Sequence, residues 1–186
     1  IGMEHIRAAL ATNSSFWGGI VAADHPRRDA LMRSMAQHAR REWRGILHAH
    51  ARLQPDVHAT LATLRRRGFR LGIVTGAGEE MIEWLGEQGV AKYFDAIVTA
   101  NDVARRKPDP EGLHRCLMQL GIDAAAACYI GDAPIDIEAS RAAGVAAFGV
   151  LTGAGDSAML TRARALRILA SIIDLPNVVD FLSPVD

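Results

Sequence analysis

The sequence predicts an α/β fold in which parallel strands form a Rossmann-like core with helices on both faces. From Pro55 onward, short apolar runs alternate with helical segments, the pattern of a parallel sheet covered on both sides. A glycine follows most of the predicted helices, where a helix is expected to end. Before Pro55 no segment has the pattern of a strand. We therefore expect two domains, a helical unit at 1–52 and the α/β core at 53–186.

The helical unit is predicted from the spacing of apolar residues. Helices are expected at 3–11 and 28–51, with a loop at 13–19 between them. In the second helix, one face carries Leu31, Met35, Ala39, Trp43 and Leu47.

The core elements are predicted from apolar runs and from the residues that end helices. Strands are expected at 69–75, 96–99, 127–130 and 145–150, each a short apolar run. Helices are expected at 56–67, 79–88, 110–120, 135–143 and 157–172. The first four of these helices are followed by Gly68, Gly89, Gly121 and Gly144.

Composition and charge restrict the function classes. The chain is 49% hydrophobic and 23% charged, which is ordinary for a globular protein, and its formal net charge is zero. No overall field attracts nucleic acid or an acidic membrane, so neither partner is expected. Cys116 and Cys128 lie in apolar stretches and fit no metal spacing, which suits buried, reduced thiols. No signal peptide or membrane-spanning run is visible, so a cytoplasmic protein is expected.

Polar residues follow three of the predicted strands. Thr75 ends the first strand, Lys107 lies after the second, and Asp132 and Asp136 follow the third. The carboxyl ends of parallel strands form the edge at which open α/β sheets hold ligands. Phosphate oxygens can accept hydrogen bonds from the Thr75 hydroxyl, the Gly76 N–H and the Lys107 ammonium. The two carboxylates are suitable ligands for Mg²⁺. The pattern predicts a site for phosphoryl transfer.

Each of these residues also has a purely structural interpretation. Thr75 can belong to a strand-to-helix turn, Lys107 to a solvated basic turn, and Asp132 and Asp136 to a helix N-terminus that favours acids. Their order on successive strand ends favours the functional interpretation. Lys107 is also one of only two lysines among 21 basic residues, a weak indication that an ammonium is required there.

The motifs around these residues resemble those of the haloacid dehalogenase superfamily, in its phosphoglycolate-phosphatase-like branch. The resemblance covers residues 53–182. The segment 53–57 resembles the hinge between a helical cap and the core, although the family has glycine where Asp56 stands, and residues 1–52 are then part of the cap. The matching motifs are Ile73-Val74-Thr75-Gly76, Lys107-Pro108-Asp109-Pro110 and Gly131-Asp132-Ala133-Pro134-Ile135-Asp136.

The resemblance implies Mg²⁺-dependent hydrolysis of a small phosphorylated metabolite through an aspartyl-phosphate. Thr75 and the Gly76 N–H would bind phosphoryl oxygens, and Lys107 would offset the charge of nucleophile and phosphate. Asp132 would ligate magnesium, and Asp136 would support the ion or hold its water. Phosphoglycolate is the reference substrate; another sugar phosphate or a nucleotide is nearly as well supported. The family does not decide between a monomer and a homodimer.

The family's first motif, an Asp-x-Asp that supplies the nucleophile, has no match before the cap segment. Asp24 has no strand before it, and Asp29 lies in an arginine-rich helix start. In the family the first strand lies between the strands that end here at Thr75 and Ile130, so its absence would open the sheet in the middle. The leading hypothesis is an N-terminally incomplete piece of a phosphatase-like protein that is inactive alone.

Three alternatives remain open at this stage. One is a catalytically dead product that acts as a binding or oligomerising module. The others are a β-phosphoglucomutase-like phosphomutase and a haloacid dehalogenase. The Asp132 and Asp136 pair favours a magnesium enzyme over the dehalogenase, which needs no metal.

Overall fold

The computed structural model describes residues 21–179, apart from some side chains of the first helix. The chain divides into two compact units, with the boundary between Leu53 and Gln54. In the first unit, helix α1 spans Arg28–His50, and Leu47 on its predicted apolar face is buried. The helix predicted at 3–11 and the loop at 13–19 lie outside the described residues. The role of the first unit as a cap stays a prediction.

The second unit alternates helices and strands, which confirms the predicted α/β class. Short 3₁₀ helices occur at Ala91–Tyr93, Ala124–Ala126 and Ile172–Asn177. The helices are α2 Val57–Arg66, α3 Glu79–Glu87, α4 Glu111–Leu120, α5 Pro134–Ala142 and α6 Ser157–Arg162. The strands are β1 Gly72–Val74, β2 Ala96–Val98, β3 Cys128–Gly131, β4 Ala146–Val150 and β5 Arg167–Leu169. In the described part of the chain, no helix has the length and apolar character needed to cross a membrane.

All strand pairs are parallel, and they form two sheets. Strand β1 pairs with β2, with Gly72 opposite Ala96. Strands β3, β4 and β5 form the second sheet, with Cys128 opposite Ala146 and Phe148 opposite Arg167. Because the strands within each sheet are parallel, their carboxyl ends lie at the same edge.

Helices cover both faces of the second sheet, as the apolar strands predict. Along β4, Ala147 packs with Ile137 of α5 and Leu160 of α6. The next residue, Phe148, is fully buried on the opposite face with Leu64 of α2. Successive side chains of a strand point to opposite faces, so β4 contributes to two hydrophobic clusters.

The prediction of one helix over 157–172 is wrong. Helix α6 ends at Arg162, and residues 167–169 form strand β5, which continues the parallel sheet beside β4. Arg164 adopts the left-handed conformation, with φ of 69°, at the position after the helix where the other core helices have glycine. The sequence signal for the end of the helix was therefore missing.

Strands β1 and β3 each have one edge that pairs with no strand of the described residues. Contact between them is made by side chains instead, since the Tyr129 hydroxyl on β3 donates a hydrogen bond of 3.0 Å to the Val74 carbonyl of β1. Among the described residues, no strand pairs with both β1 and β3, and the opening of the sheet expected from the sequence stays a prediction.

Candidate active site

The candidate site is built at the carboxyl ends of β1 and β3. Thr75 follows β1 directly, and Asp132 follows β3 directly. Asp136 lies in the first turn of α5, and Lys107 lies in the segment between β2 and α4. Residues that are distant in sequence therefore meet where the two sheets end.

Lys107 joins the two sheets through one buried cluster. Its ammonium donates to Asp136 Oδ1 at 2.6 Å, to the Tyr129 hydroxyl at 3.1 Å and to the Val74 carbonyl at 3.4 Å. The side chains of Lys107 and Asp136 are only 17% and 6% exposed. Two of the predicted site residues, Lys107 and Asp136, are thus in direct contact.

The electrostatics of this cluster keep Lys107 charged. Burial alone lowers the pKa of the ammonium, but the electrostatic interactions with Tyr129 and Asp136 and the hydrogen bonds to them outweigh burial, and the net pKa is raised. Burial, together with the Asp136 carboxylate, raises the pKa of Tyr129 to about 12. At neutral pH the Lys107 side chain is therefore an ammonium and the Tyr129 side chain a neutral phenol.

Asp136 uses both carboxylate oxygens within the protein. Oδ1 accepts from Lys107, and Oδ2 accepts from the Ala133 N–H at 3.1 Å. A Cβ at Gly131 would lie only 2.2 Å from Asp136 Cβ, so the glycine at the end of β3 leaves the space that this side chain occupies. This geometry fits Asp136 as a support for Lys107 better than as a direct metal ligand.

Asp132 is oriented by the loop that follows β4. Its Oδ2 accepts from the Ala154 N–H at 2.7 Å, and its backbone carbonyl accepts from the Gly155 N–H at 2.8 Å. A Cβ on Gly153 would lie 2.0 Å from Asp132 Oδ2, and one on Gly155 would lie 2.3 Å from the Asp132 carbonyl oxygen. The loop can approach Asp132 only because both positions are glycine.

The fit to a magnesium ion is partial. Asp132 Oδ1 is left without a hydrogen bond among the described residues, so it is available to a cation. The described residues contain no group of three or more His, Cys, Asp or Glu side chains that could hold a metal ion. The donor set supplies one suitable ligand, Asp132, since both carboxylate oxygens of Asp136 already accept hydrogen bonds.

Thr75 and Gly76 line a cleft with Lys107. The cleft opens at the carboxyl ends of β1 and β2. Thr75 Oγ1 accepts from the Ala77 N–H at 3.0 Å, so its own proton can be donated to a ligand. This side of the site can therefore present a hydroxyl to an anion, with the positive charge of Lys107 nearby.

Two contributors were missed by reasoning from the sequence. Tyr129 was included only as part of an apolar strand, although its hydroxyl contacts both Lys107 and Val74. The loop containing Ala154 was not considered, although the glycines on either side of it were a usable signal for close backbone approach.

Comparisons with known proteins identify the family of this chain. Residues 20–150 match the family model described as haloacid dehalogenase-like hydrolase. The phosphoglycolate phosphatase of Neisseria meningitidis serogroup A is 34% identical over 143 residues, which are 76% of this chain and 61% of that protein. A pyrophosphatase of Bacillus velezensis is 38% identical over 95 residues, which are 50% of this chain and 44% of that protein. A crystal structure of a hydrolase from Pseudomonas syringae is similar with a TM-score of 0.70 at 25% identity, covering 98% of this chain and 93% of that one.

The chain belongs to the haloacid dehalogenase-like hydrolase family, in its phosphoglycolate-phosphatase-like branch. It spans about half the length of the curated relatives that it matches, from 40% of one to 61% of another. The predicted family is confirmed.

Proposed function

We propose that this chain supplies one half of the active site of a magnesium-dependent phosphatase acting on a small phosphomonoester. The observation that carries the proposal is the contact of Lys107 with Asp136 at 2.6 Å beside a cleft that Lys107 shares with Thr75 and Gly76. It brings a phosphate-binding group and an acidic group together at the edge where parallel sheets hold ligands.

The residues have distinct tasks in this proposal. The Thr75 hydroxyl and the Gly76 N–H donate to phosphoryl oxygens, and Lys107 offsets the charge that develops during transfer. Asp136 and Tyr129 hold the ammonium in place. Asp132 would hold magnesium, and the Ala154 N–H orients its carboxylate by donating to Oδ2. When bound, magnesium would supply positive charge that polarises the phosphoryl group.

The nucleophile is proposed to come from outside these 186 residues. The open edges of β1 and β3 support a further parallel strand between them, and this is where the family resemblance places the strand with the Asp-x-Asp motif. The substrate is proposed to be phosphoglycolate-like, with another sugar phosphate or a nucleotide as the next choices.

A second candidate function rests on the same open edges. Unpaired strand edges present N–H and C=O groups that can pair with another chain. The chain alone would then be a catalytically inactive module that binds or oligomerises through β1 or β3.

A phosphatase assay separates the two functions. p-Nitrophenyl phosphate and a panel of phosphate esters are assayed with and without Mg²⁺, on the 186-residue chain and on a chain extended upstream in its gene. We expect magnesium-dependent turnover by the extended chain alone. Turnover by the 186 residues would contradict the missing nucleophile, and no turnover by either chain would favour the binding module.

A further inference from the structure

The cleft beside the proposed phosphate site is lined in part by three consecutive basic residues. Arg105, Arg106 and Lys107 all line it, together with Thr75, Gly76 and Thr99. Three consecutive cations at one cleft raise the question of which of them is available to a ligand.

Two of these cations are committed to carboxylates of the protein. Arg105 Nε lies 2.9 Å from Asp109 Oδ2 and 3.4 Å from Glu111 Oε2. Lys107 is paired with Asp136. Arg106 is exposed and makes no side-chain hydrogen bond or ion pair with the residues that the structure describes. Arg106 is therefore the cation of this cleft whose charge no carboxylate of the described residues offsets.

The backbone that carries Arg106 is held on both sides. Before it, the Ala104 and Arg105 N–H groups donate to Glu111 Oε1 and Oε2 at 2.8 and 3.0 Å. After it, the Asp109 N–H donates to the Arg106 carbonyl at 3.0 Å. A guanidinium on a fixed backbone loses less conformational freedom when it binds a ligand than one on a flexible loop.

We propose that Arg106 determines substrate specificity by binding a second anionic group of the phosphomonoester. This inference rests on the proposed function, because Thr75, Gly76 and Lys107 must hold the phosphoryl group for Arg106 to meet the rest of the substrate. A guanidinium forms paired hydrogen bonds with either a carboxylate or a phosphate. The substrate class is therefore a phosphomonoester with a second negative group, and not an ester of a neutral alcohol.

Turnover by the extended chain tests the proposal with two kinds of substrate. Phosphoglycolate supplies a second carboxylate, a sugar bisphosphate supplies a second phosphate, and p-nitrophenyl phosphate supplies neither. We expect Arg106→Gln to lower kcat/KM about 10- to 100-fold for whichever doubly anionic ester is preferred, the size of one lost charge-assisted contact. For p-nitrophenyl phosphate the change should stay under about twofold, and Arg106→Lys should restore part of the loss.

The matched control is Arg66→Gln, since Arg66 is an exposed arginine of α2 that donates to the Thr63 hydroxyl and does not line the cleft. It should leave kcat/KM for every ester unchanged. An equal loss on all esters with Arg106→Gln, or no loss on any, would overturn the specificity role while leaving the phosphatase proposal intact.

A binding measurement keeps the inference testable without turnover. Calorimetric titration of the 186-residue chain compares phosphonoacetate, which has a second anionic group, with methylphosphonate, which has none. We expect Arg106→Gln to lower the affinity for phosphonoacetate at least about tenfold and to leave the affinity for methylphosphonate unchanged. Equal affinities of the parent chain for the two compounds would overturn the role of Arg106. If phosphonoacetate binds more tightly than methylphosphonate but the extended chain shows no turnover, only the phosphatase proposal is contradicted.

Discussion

At the scale of single residues, the buried contact between Lys107 and Asp136 organises the candidate site. It joins a segment after β2 to the first turn of α5, and Tyr129 closes the cluster from β3. The sequence could predict Thr75, Lys107, Asp132 and Asp136 because each follows a strand in a recognisable motif. It could not predict the partners, because hydrogen bonds between distant segments depend on how the strands are arranged.

Removing the ammonium should destabilise the fold. Lys107→Met leaves the Asp136 carboxylate buried without its cation, and we expect the free energy of unfolding to fall by about 3 kcal/mol. Urea denaturation measures this change. The double variant Lys107→Met/Asp136→Asn should lose less free energy of unfolding than the two single variants lose in sum, because it also removes the unpaired charge.

The control for this prediction is Lys92→Met, which replaces the other lysine of the chain. Lys92 is exposed and lies over the Tyr93 ring at 5.3 Å, so its loss should cost at most about 1 kcal/mol. If Lys107→Met lowers the free energy of unfolding no more than Lys92→Met does, the buried pair of Lys107 and Asp136 does not stabilise the fold as proposed.

At the scale of elements, the positions where helices end show what the sequence could and could not predict. Gly68, Gly89, Gly121 and Gly144 all have positive φ, so the glycine rule located the ends of four core helices. Helix α6 has Arg164 at the equivalent position, and its end was missed together with β5. Local preference was overridden there by the pairing of β5 with β4.

Glycine at position 164 should stabilise the second unit. The left-handed conformation costs a non-glycine residue about 1–2 kcal/mol, and glycine loses roughly 0.5–1 kcal/mol more backbone entropy on folding. We expect Arg164→Gly to raise the free energy of unfolding by about 0.5–1 kcal/mol on this balance. The same substitution two residues earlier, Arg162→Gly within α6, should lower it by about 1 kcal/mol. A less stable Arg164→Gly variant in chemical denaturation would show that the arginine side chain has a structural role.

At the scale of the whole molecule, the sequence predicted the α/β class and the parallel strands because apolar runs and helix ends are local signals. The separation into two sheets is not a local signal. It was expected only because the family resemblance assigns a further strand between β1 and β3. Asp56 shows the same limit. Its φ of 58° explains why glycine suits this position, but an aspartate in the sequence does not predict that backbone angle.

The central claim is that Asp132 belongs to the reacting site of a phosphatase, and one substitution tests it most directly. Asp132→Asn keeps an oxygen that can accept from the Ala154 N–H but removes the charge that a magnesium ion requires. Magnesium-dependent turnover of a phosphate ester is measured in the upstream-extended chain, with the exposed Asp123→Asn as the control. We expect turnover to be abolished in Asp132→Asn and unchanged in the control. Undiminished turnover by Asp132→Asn would contradict it.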